Sequence, residues 1–434
     1  MKRQASTPKT LIAQMESARR RTLKLIAGLD ADQLMGPRLA IVNPLRWEVG
    51  HTAYFYEYWV LRQHLGEAPC RPDVDRLYDS ISIAHDDRWE LPLPSMEETL
   101  EYMSTVLARV RMHLLQGDDD AQRDYLVQYA IFHEDMHTEA FTYSRQTLGY
   151  SVPDIAAKAA EGGQINARTR DAEIPGGQFQ LGSTERDGFV FDNEKWAHPL
   201  TVAPFRIART ATSNGEYLDF VEDGGYRRRE LWDDAGWQWR SQAGLEHPVY
   251  WRHGGDGWQR RHFDRWERLT PNAAVIHVSW HEAQAYCRWA GRRLPSELEW
   301  EVAAAAAPDA GGNGLAARKR RYPWGDDEPA PQLANLDGNA LGTIDVNALP
   351  AGDSAFGCRQ MIGNAWEWTD TLFAPYPGFT PDMYQEYSQP LFSNTRVLRG
   401  GAWATRGRMI RNNWRNYYGA DRNDVFAGFR TCAR

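Results

Sequence analysis

Cysteine is scarce in this chain of 434 residues: only Cys70, Cys287, Cys358 and Cys432 occur, with no CxxC spacing and no close pair. That argues against a disulfide framework and a thiolate zinc site, and it suits a reducing cytoplasm. Long apolar runs are missing too, since no stretch approaches the roughly 18 uninterrupted apolar residues of a membrane span. The segment Met1 to Arg21 is basic and polar and lacks the apolar run of a signal peptide. Positive charge is not in excess. Lys plus Arg number 50 against 58 Asp plus Glu, a formal charge of −8, which argues against a general nucleic-acid or anionic-membrane binder. The expectation is a cytoplasmic protein with small-molecule partners, no nucleic acid and no membrane.

Aromatic rings are plentiful: 18 Trp, 19 Tyr and 15 Phe make up 12% of the chain. At about 150 residues per domain, the length favours two or three domains. From Ser6 to about Gly149 the pattern is helical. Thr7-Pro8 reads as a cap with Pro at the first helical position, before an apolar stripe through Leu11, Met15, Ala18 and Leu25. A second helix is expected after Asn43-Pro44 through Trp59, a third over Pro94 to Leu115 with a cap at Ser95, and a fourth over Ala121 to Leu148, closed by Gly149. Four such helices describe a bundle. Residues 156–172 are small and polar, a linker by composition. Beyond them come short β-like runs at Gly177 to Gly182, Pro199 to Val202, Phe205 to Ala208 and Arg396 to Gly401. Helices are expected over Ser213 to Asp223 and Trp280 to Ala306. This describes a loop-rich α+β domain.

The sharpest local signal is His133-Glu-Asp-Met-His137. Four helical residues turn about 400°, so both imidazoles share one face, about 6 Å apart along the axis, and can hold one metal. His51, on the expected second helix, is the candidate third ligand; three imidazoles leave coordination positions open. The string also reads H-E-x-x-H, the zinc-peptidase pattern. That reading lacks its third ligand, because Ala140 and Tyr143 stand where the extended motif has Gly and His, and Glu161 lies beyond Gly149 and Pro153.

The pairing of Asn43-Pro-Leu-Arg-Trp-Glu-Val-Gly-His51 with Phe132-His-Glu-Asp-Met-His137 resembles the N-terminal DinB-like bundle of the ergothioneine-type sulfoxide synthases. The second half resembles their formylglycine-generating-enzyme-like domain, a C-type-lectin-like fold. The motifs there are Ile174-Pro-Gly-Gly-Gln-Phe, Arg293-Leu-Pro-Ser-Glu-Leu-Glu-Trp-Glu, Tyr322-Pro-Trp-Gly, Gly363-Asn-Ala-Trp-Glu-Trp, Arg396-Val-Leu-Arg-Gly-Gly and Gly428-Phe-Arg. The resemblance implies an α plus α+β protein with a four-helix bundle over 1–155, a linker over 156–172 and a substrate-binding domain over 173–434. It also implies a non-heme Fe(II) held by His51, His133 and His137. With O2 as co-substrate, the family joins a sulfur donor to the imidazole C2 of hercynine, the trimethylated betaine of histidine. A trimethylammonium is held well by π faces, which gives the aromatic surplus a use beside core packing.

The resemblance further implies a catalytic tyrosine in Tyr384-Gln-Glu-Tyr387-Ser, with Tyr384 first and Tyr387 second as proton donor. A phenol with an ordinary pKa near 10 is protonated at neutral pH and can serve as an acid. Asn416 and Tyr417 fall where the family contacts hercynine. Tyr417 is a conservative exchange for the family's Trp, and two positions depart further: Met136 replaces a Gln that meets the substrate imidazole, and Tyr418 replaces an Asp that grips the donor amine. Arg88 sits where the family places an Arg for a donor carboxylate, which a sugar donor lacks. Stretches such as Leu77-Tyr-Asp-Ser and His85-Asp-Asp-Arg-Trp resemble the selenoneine synthase branch, whose donor is a seleno-sugar. The expected activity is carbon–selenium bond formation on hercynine. The alternatives are a sulfoxide synthase using cysteine or γ-glutamylcysteine, and a metal-containing binding protein without catalysis. Cys432 falls near a copper-thiolate position of true formylglycine-generating enzymes, but Ala402 to Thr405 offers no partner thiol, so a buried core thiol is expected.

Overall fold

The computed structural model describes residues 7–116, 118–155 and 171–434. They divide into two compact units, one of residues 7–155 with 186–189, the other of residues 171–185 with 190–434.

The first unit is helical. Its elements are α1 (Pro8–Ile26), α2 (Ala31–Met35), α3 (Leu45–Tyr56), α4 (Val74–Tyr78), α5 (Met96–Gln116) and α6 (Ala121–Leu148). The long helices α1, α3, α5 and α6 pack on one another as a bundle. The sequence signals account for their ends. Thr7 Oγ1 accepts from the Thr10 amide with Pro8 at the first position. Ser95 and Glu98 exchange side-chain bonds to each other's amides at the start of α5. Gly149 closes α6 at φ +67°, a left-handed turn that glycine adopts without a Cβ penalty. Helix α3 continues as a π-helix over Glu57–His64, which the apolar pattern does not foretell.

The second unit is short-stranded and rich in turns. In order it contains β1 (Asp171–Ile174), β2 (Gly177–Leu181), β3 (His198–Val202), β4 (Phe205–Ala208), α7 (Asn214–Glu222), α8 (Asp234–Gln242), β5 (Trp251–Gly254), β6 (Gly257–His262) and β7 (Arg265–Arg268). Then follow α9 (Trp280–Trp289), β8 (Arg292–Arg293), α10 (Glu297–Ala305), β9 (Trp366–Leu372), β10 (Arg396–Arg399), β11 (Asn416–Tyr418), β12 (Ala427–Gly428) and β13 (Cys432–Ala433). Two four-stranded sheets run β1-β4-β13-β8 and β11-β10-β9-β12, beside a β2-β3 hairpin and a β5-β6-β7 meander.

Two expectations need correction. The helix expected over Trp280 to Ala306 is two helices, because Gly291 turns left-handed at φ +67° and Pro295 precedes a new cap at Ser296. Asp171 and Ala172, read as linker, open β1; residues 156–170 lie outside the described residues. Cys432 is fully buried in the first sheet, where burial pushes its thiol up to about 12, so it is a core thiol.

Part of the aromatic surplus goes into this unit's core, where Trp300, Trp366, Trp368 and Trp403 are fully buried. Ion pairs are buried with them. Arg399 and Arg415 both meet Glu297 at 2.7 Å, Arg399 also pairs with Glu301, and Arg430 meets Glu367 at 2.6 Å. The Trp300 indole N–H donates to the same Glu367 at 2.7 Å.

Candidate metal centre

The helical unit brings His51, His133 and His137 together, with one nitrogen from each within 4.8 Å of the others. Among the described residues no other group of three His, Cys, Asp or Glu side chains gathers this way. His133 and His137 lie one turn apart on α6, and their Nε2 atoms are 3.2 Å apart. Two metal–imidazole bonds of about 2.1 Å at right angles span a similar distance.

Each ring is fixed by neighbours. His51 Nδ1 donates to the Tyr78 carbonyl at 2.9 Å, and His137 Nδ1 donates to the Glu48 carboxylate at 2.5 Å. Committing Nδ1–H leaves each Nε2 with its lone pair, the tautomer a metal needs. Trp47 stacks on His51 at 4.7 Å and 10°, and Phe55 stacks on His133 at 3.9 Å and 12°. Burial, then the neighbouring His137, holds His51 and His133 well below the ordinary imidazole range. They are neutral near pH 7 and available as ligands. A set of three oriented imidazoles fits a divalent Fe, Zn, Cu or Ni ion.

Glu134, the acid of the H-E-x-x-H string, is fully buried and faces α1, accepting from Arg19 Nε at 2.9 Å and Thr22 Oγ1 at 2.8 Å. Paired with an arginine and a threonine of α1, it ties α6 to that helix, and with no third ligand of the peptidase pattern in the cluster the peptidase reading falls.

Gly50 explains how α4 comes close. A Cβ there would lie 2.2 Å from the ring of Tyr78, whose carbonyl holds His51. Gly50→Ala is expected to cost about 1 to 3 kcal/mol of stability and to weaken metal uptake by displacing Tyr78. Thermal denaturation and a metal titration of the variant check both effects.

The other candidate residues divide between the units. Met136 is half-buried on α6 beside His137. Arg88 lies with its guanidinium 4.0 Å from the Trp47 ring and donates to Asn43 Oδ1 at 2.6 Å, so Arg88, Trp47 and His51 form a stack. In the second unit, Tyr387 packs against Phe191 at 4.7 Å and edge-on to Tyr417 at 5.8 Å. The Tyr417 hydroxyl donates to the Tyr387 carbonyl, and its ring stacks on Phe373 at 4.1 Å. Burial pushes both phenols far above their ordinary range, so both keep their protons. Tyr384 is half-exposed at the head of this turn. Ser388 Oγ, donating to Asp192 at 2.5 Å, and Lys195, paired with Asp382 at 2.6 Å, pin the turn in place. Asn416 and Tyr418 flank Tyr417 on β11, with Arg422 over the Tyr418 ring at 5.1 Å. Motif reading did not pick out Glu48 or the Tyr78 carbonyl. Glu48 stands three residues before His51, a spacing that places an acid on the ligand's own helix face.

Comparison with known proteins agrees with this layout. Residues 159–434 match the sulfatase-modifying factor enzyme 1-like domain, and residues 14–141 match the DinB superfamily. A hercynine oxygenase from Mycolicibacterium thermoresistibile is 39% identical over 431 residues, covering 97% of this chain and 94% of that protein. The hercynine oxygenase of Mycobacterium tuberculosis is 38% identical over 432 residues, covering 98% and 99%. A formylglycine-generating enzyme from Streptomyces coelicolor is 31% identical over 283 residues, 59% of this chain and 86% of that protein. No described helix is long and apolar enough to cross a membrane.

Proposed function

The chain belongs to the hercynine oxygenase family, the ergothioneine-type sulfoxide synthases with a DinB-like unit and a formylglycine-generating-enzyme-like unit, and on that premise we propose that it is a cytoplasmic, O2-dependent synthase forming a carbon–selenium bond between the imidazole C2 of hercynine and a seleno-sugar. The observation that carries the hercynine reading is the three-imidazole cluster within a chain similar over its length to hercynine oxygenases. In this reading His51, His133 and His137 hold Fe(II), which supplies O2 activation when bound. Residues 1–155 carry the metal, and residues 173–434 carry the substrate contacts. Asn416 and Tyr417 bind hercynine. Tyr384, half-exposed on a pinned turn, delivers the proton, with Tyr387 as the second choice because its ring is packed between Phe191 and Tyr417.

Selenium is supported by the residues that depart from the family pattern. Tyr418 offers no acid to a donor amine, which would lose a charge-assisted bond of about 1.5 to 3 kcal/mol, roughly ten- to a hundredfold in affinity. A neutral polyol loses nothing by the exchange. Met136 places a soft thioether where a Gln would form hydrogen bonds. Arg88 is engaged with Trp47 and Asn43, which suits a donor without a carboxylate. The second reading, a sulfoxide synthase using cysteine or γ-glutamylcysteine, rests on the family resemblance; the full-length relatives are named hercynine oxygenases, a name that fits either donor.

The test is anaerobic reconstitution with Fe(II), then O2 and hercynine with each donor in turn, read by product mass. The expected result is a carbon–selenium product from the seleno-sugar and at least about tenfold weaker use of cysteine or γ-glutamylcysteine. Tyr418→Asp is expected to raise use of the amino-acid donors. Efficient sulfoxide formation from γ-glutamylcysteine with no product from the seleno-sugar establishes the second reading, and no product from any donor overturns both.

A further inference from the structure

Glu48 is 1% exposed, and its carboxylate accepts from His137 Nδ1, a residue 89 positions away on another helix. Taking a carboxylate out of water costs several kcal/mol unless a charge or strong donors receive it. An acid in a helix's first turn is ordinarily explained by the helix dipole or by bonds back to free amides. Here the Pro44 cap makes no side-chain bond, and the Glu48 carboxylate turns to the imidazole on α6 instead. The same face of α3 presents His51 one turn later, so one helix supplies a ligand and also the group that orients a second ligand. The three rings are therefore not equivalent: His51 is backed by a neutral carbonyl and His137 by an anion.

We propose that Glu48 is a positioning residue of the metal centre. Its carboxylate fixes the Nδ1–H tautomer of His137, aims that ring's Nε2 toward His133, and brings one negative charge to the cluster. This rests on the reading that the three histidines hold a divalent metal. A carboxylate behind a ligating imidazole raises its basicity, and loss of such partners typically costs 10- to 100-fold in metal affinity.

The experiment titrates metal-free protein with Co(II) alone, without hercynine or O2, following the visible absorption of the bound ion and the thermal midpoint with and without metal. Glu48→Gln keeps the shape and an acceptor oxygen but loses the charge, while Glu48→Met keeps the volume and loses both. The expected result is a Co(II) dissociation constant about 10- to 100-fold weaker for Glu48→Gln and weaker again for Glu48→Met, with altered absorption and a smaller metal-induced rise in midpoint. A merely structural role would lower the metal-free midpoint and leave the affinity of folded protein unchanged. Unchanged affinity and absorption in either variant that folds overturns the proposal, and it leaves the hercynine reading standing if the wild type still turns hercynine over. Weakened affinity in the variants of a wild type that makes no hercynine product does the reverse. A wild type that binds no divalent metal overturns both.

Discussion

Replacing His51, His133 or His137 singly by Ala is expected, on the iron-centre reading proposed above, to take bound iron from near-stoichiometric to background, and turnover with it, while the helical unit stays folded. Each imidazole contributes one of three ligand nitrogens gathered within 4.8 Å, and two imidazoles alone make a poor site for a labile divalent ion. The folding cost is smaller. His51→Ala removes one hydrogen bond to the Tyr78 carbonyl and the stacking of Trp47, about 1 to 3 kcal/mol, against a typical domain stability of 5 to 15 kcal/mol. Elemental analysis after anaerobic loading, circular dichroism and product formation separate the two effects. Full activity in any one variant removes that residue from the site.

The largest stability effect is expected in the second unit. Arg430 donates through Nε and Nη2 to both oxygens of Glu367 at 2.6 and 2.8 Å, and also reaches the carbonyls of Ala208, Arg209 and Arg359. Both side chains are almost wholly out of solvent. Arg430→Ala leaves a buried carboxylate without its cation and several carbonyls without a donor, at a cost of about 3 to 5 kcal/mol. Glu367→Ala strands the guanidinium and the Trp300 indole N–H and is expected to cost a similar amount. Combining Arg430→Ala with Glu367→Ala is expected to cost less than the two single losses together, because no charge is left unpaired. Urea denaturation of the four proteins measures the coupling directly; strict additivity would mean that the two groups do not depend on each other.

Much of the bundle was legible from local signals. The cap at Thr7-Pro8, the Ser95 box and the Gly149 stop act within a few residues, and the structure places helix ends there. The His133 and His137 pair was legible because four residues along a helix fix a distance. Glu48 was harder to find because its partner lies on a different helix, and no local period carries that information. The break between α9 and α10 was missed because the Ala and Trp content on either side reads as one helix, although Gly291 and Pro295 mark the interruption. The β5-β7 meander was missed for another reason. Its strands carry Arg, Trp, His and Gln in partly exposed positions on both faces, so the alternation that announces a half-buried strand is absent.

The motifs by which the second half was recognised turn out to hold its interior ionic lattice: Glu297 and Glu301 come from one motif, Glu367 from another, Arg399 and Arg430 from two more. These residues face one another in the core and so report architecture rather than chemistry. A signature built on them transfers a scaffold between proteins and is silent on what that scaffold processes. On the function proposed above, reaction preference is free to drift at the Tyr384 turn and the half-buried strand from Asn416 to Tyr418, which contribute no side chain to these interior ion pairs. Grafting those two stretches between relatives is accordingly the economical route to redirecting such an enzyme, with the lattice as a fixed chassis.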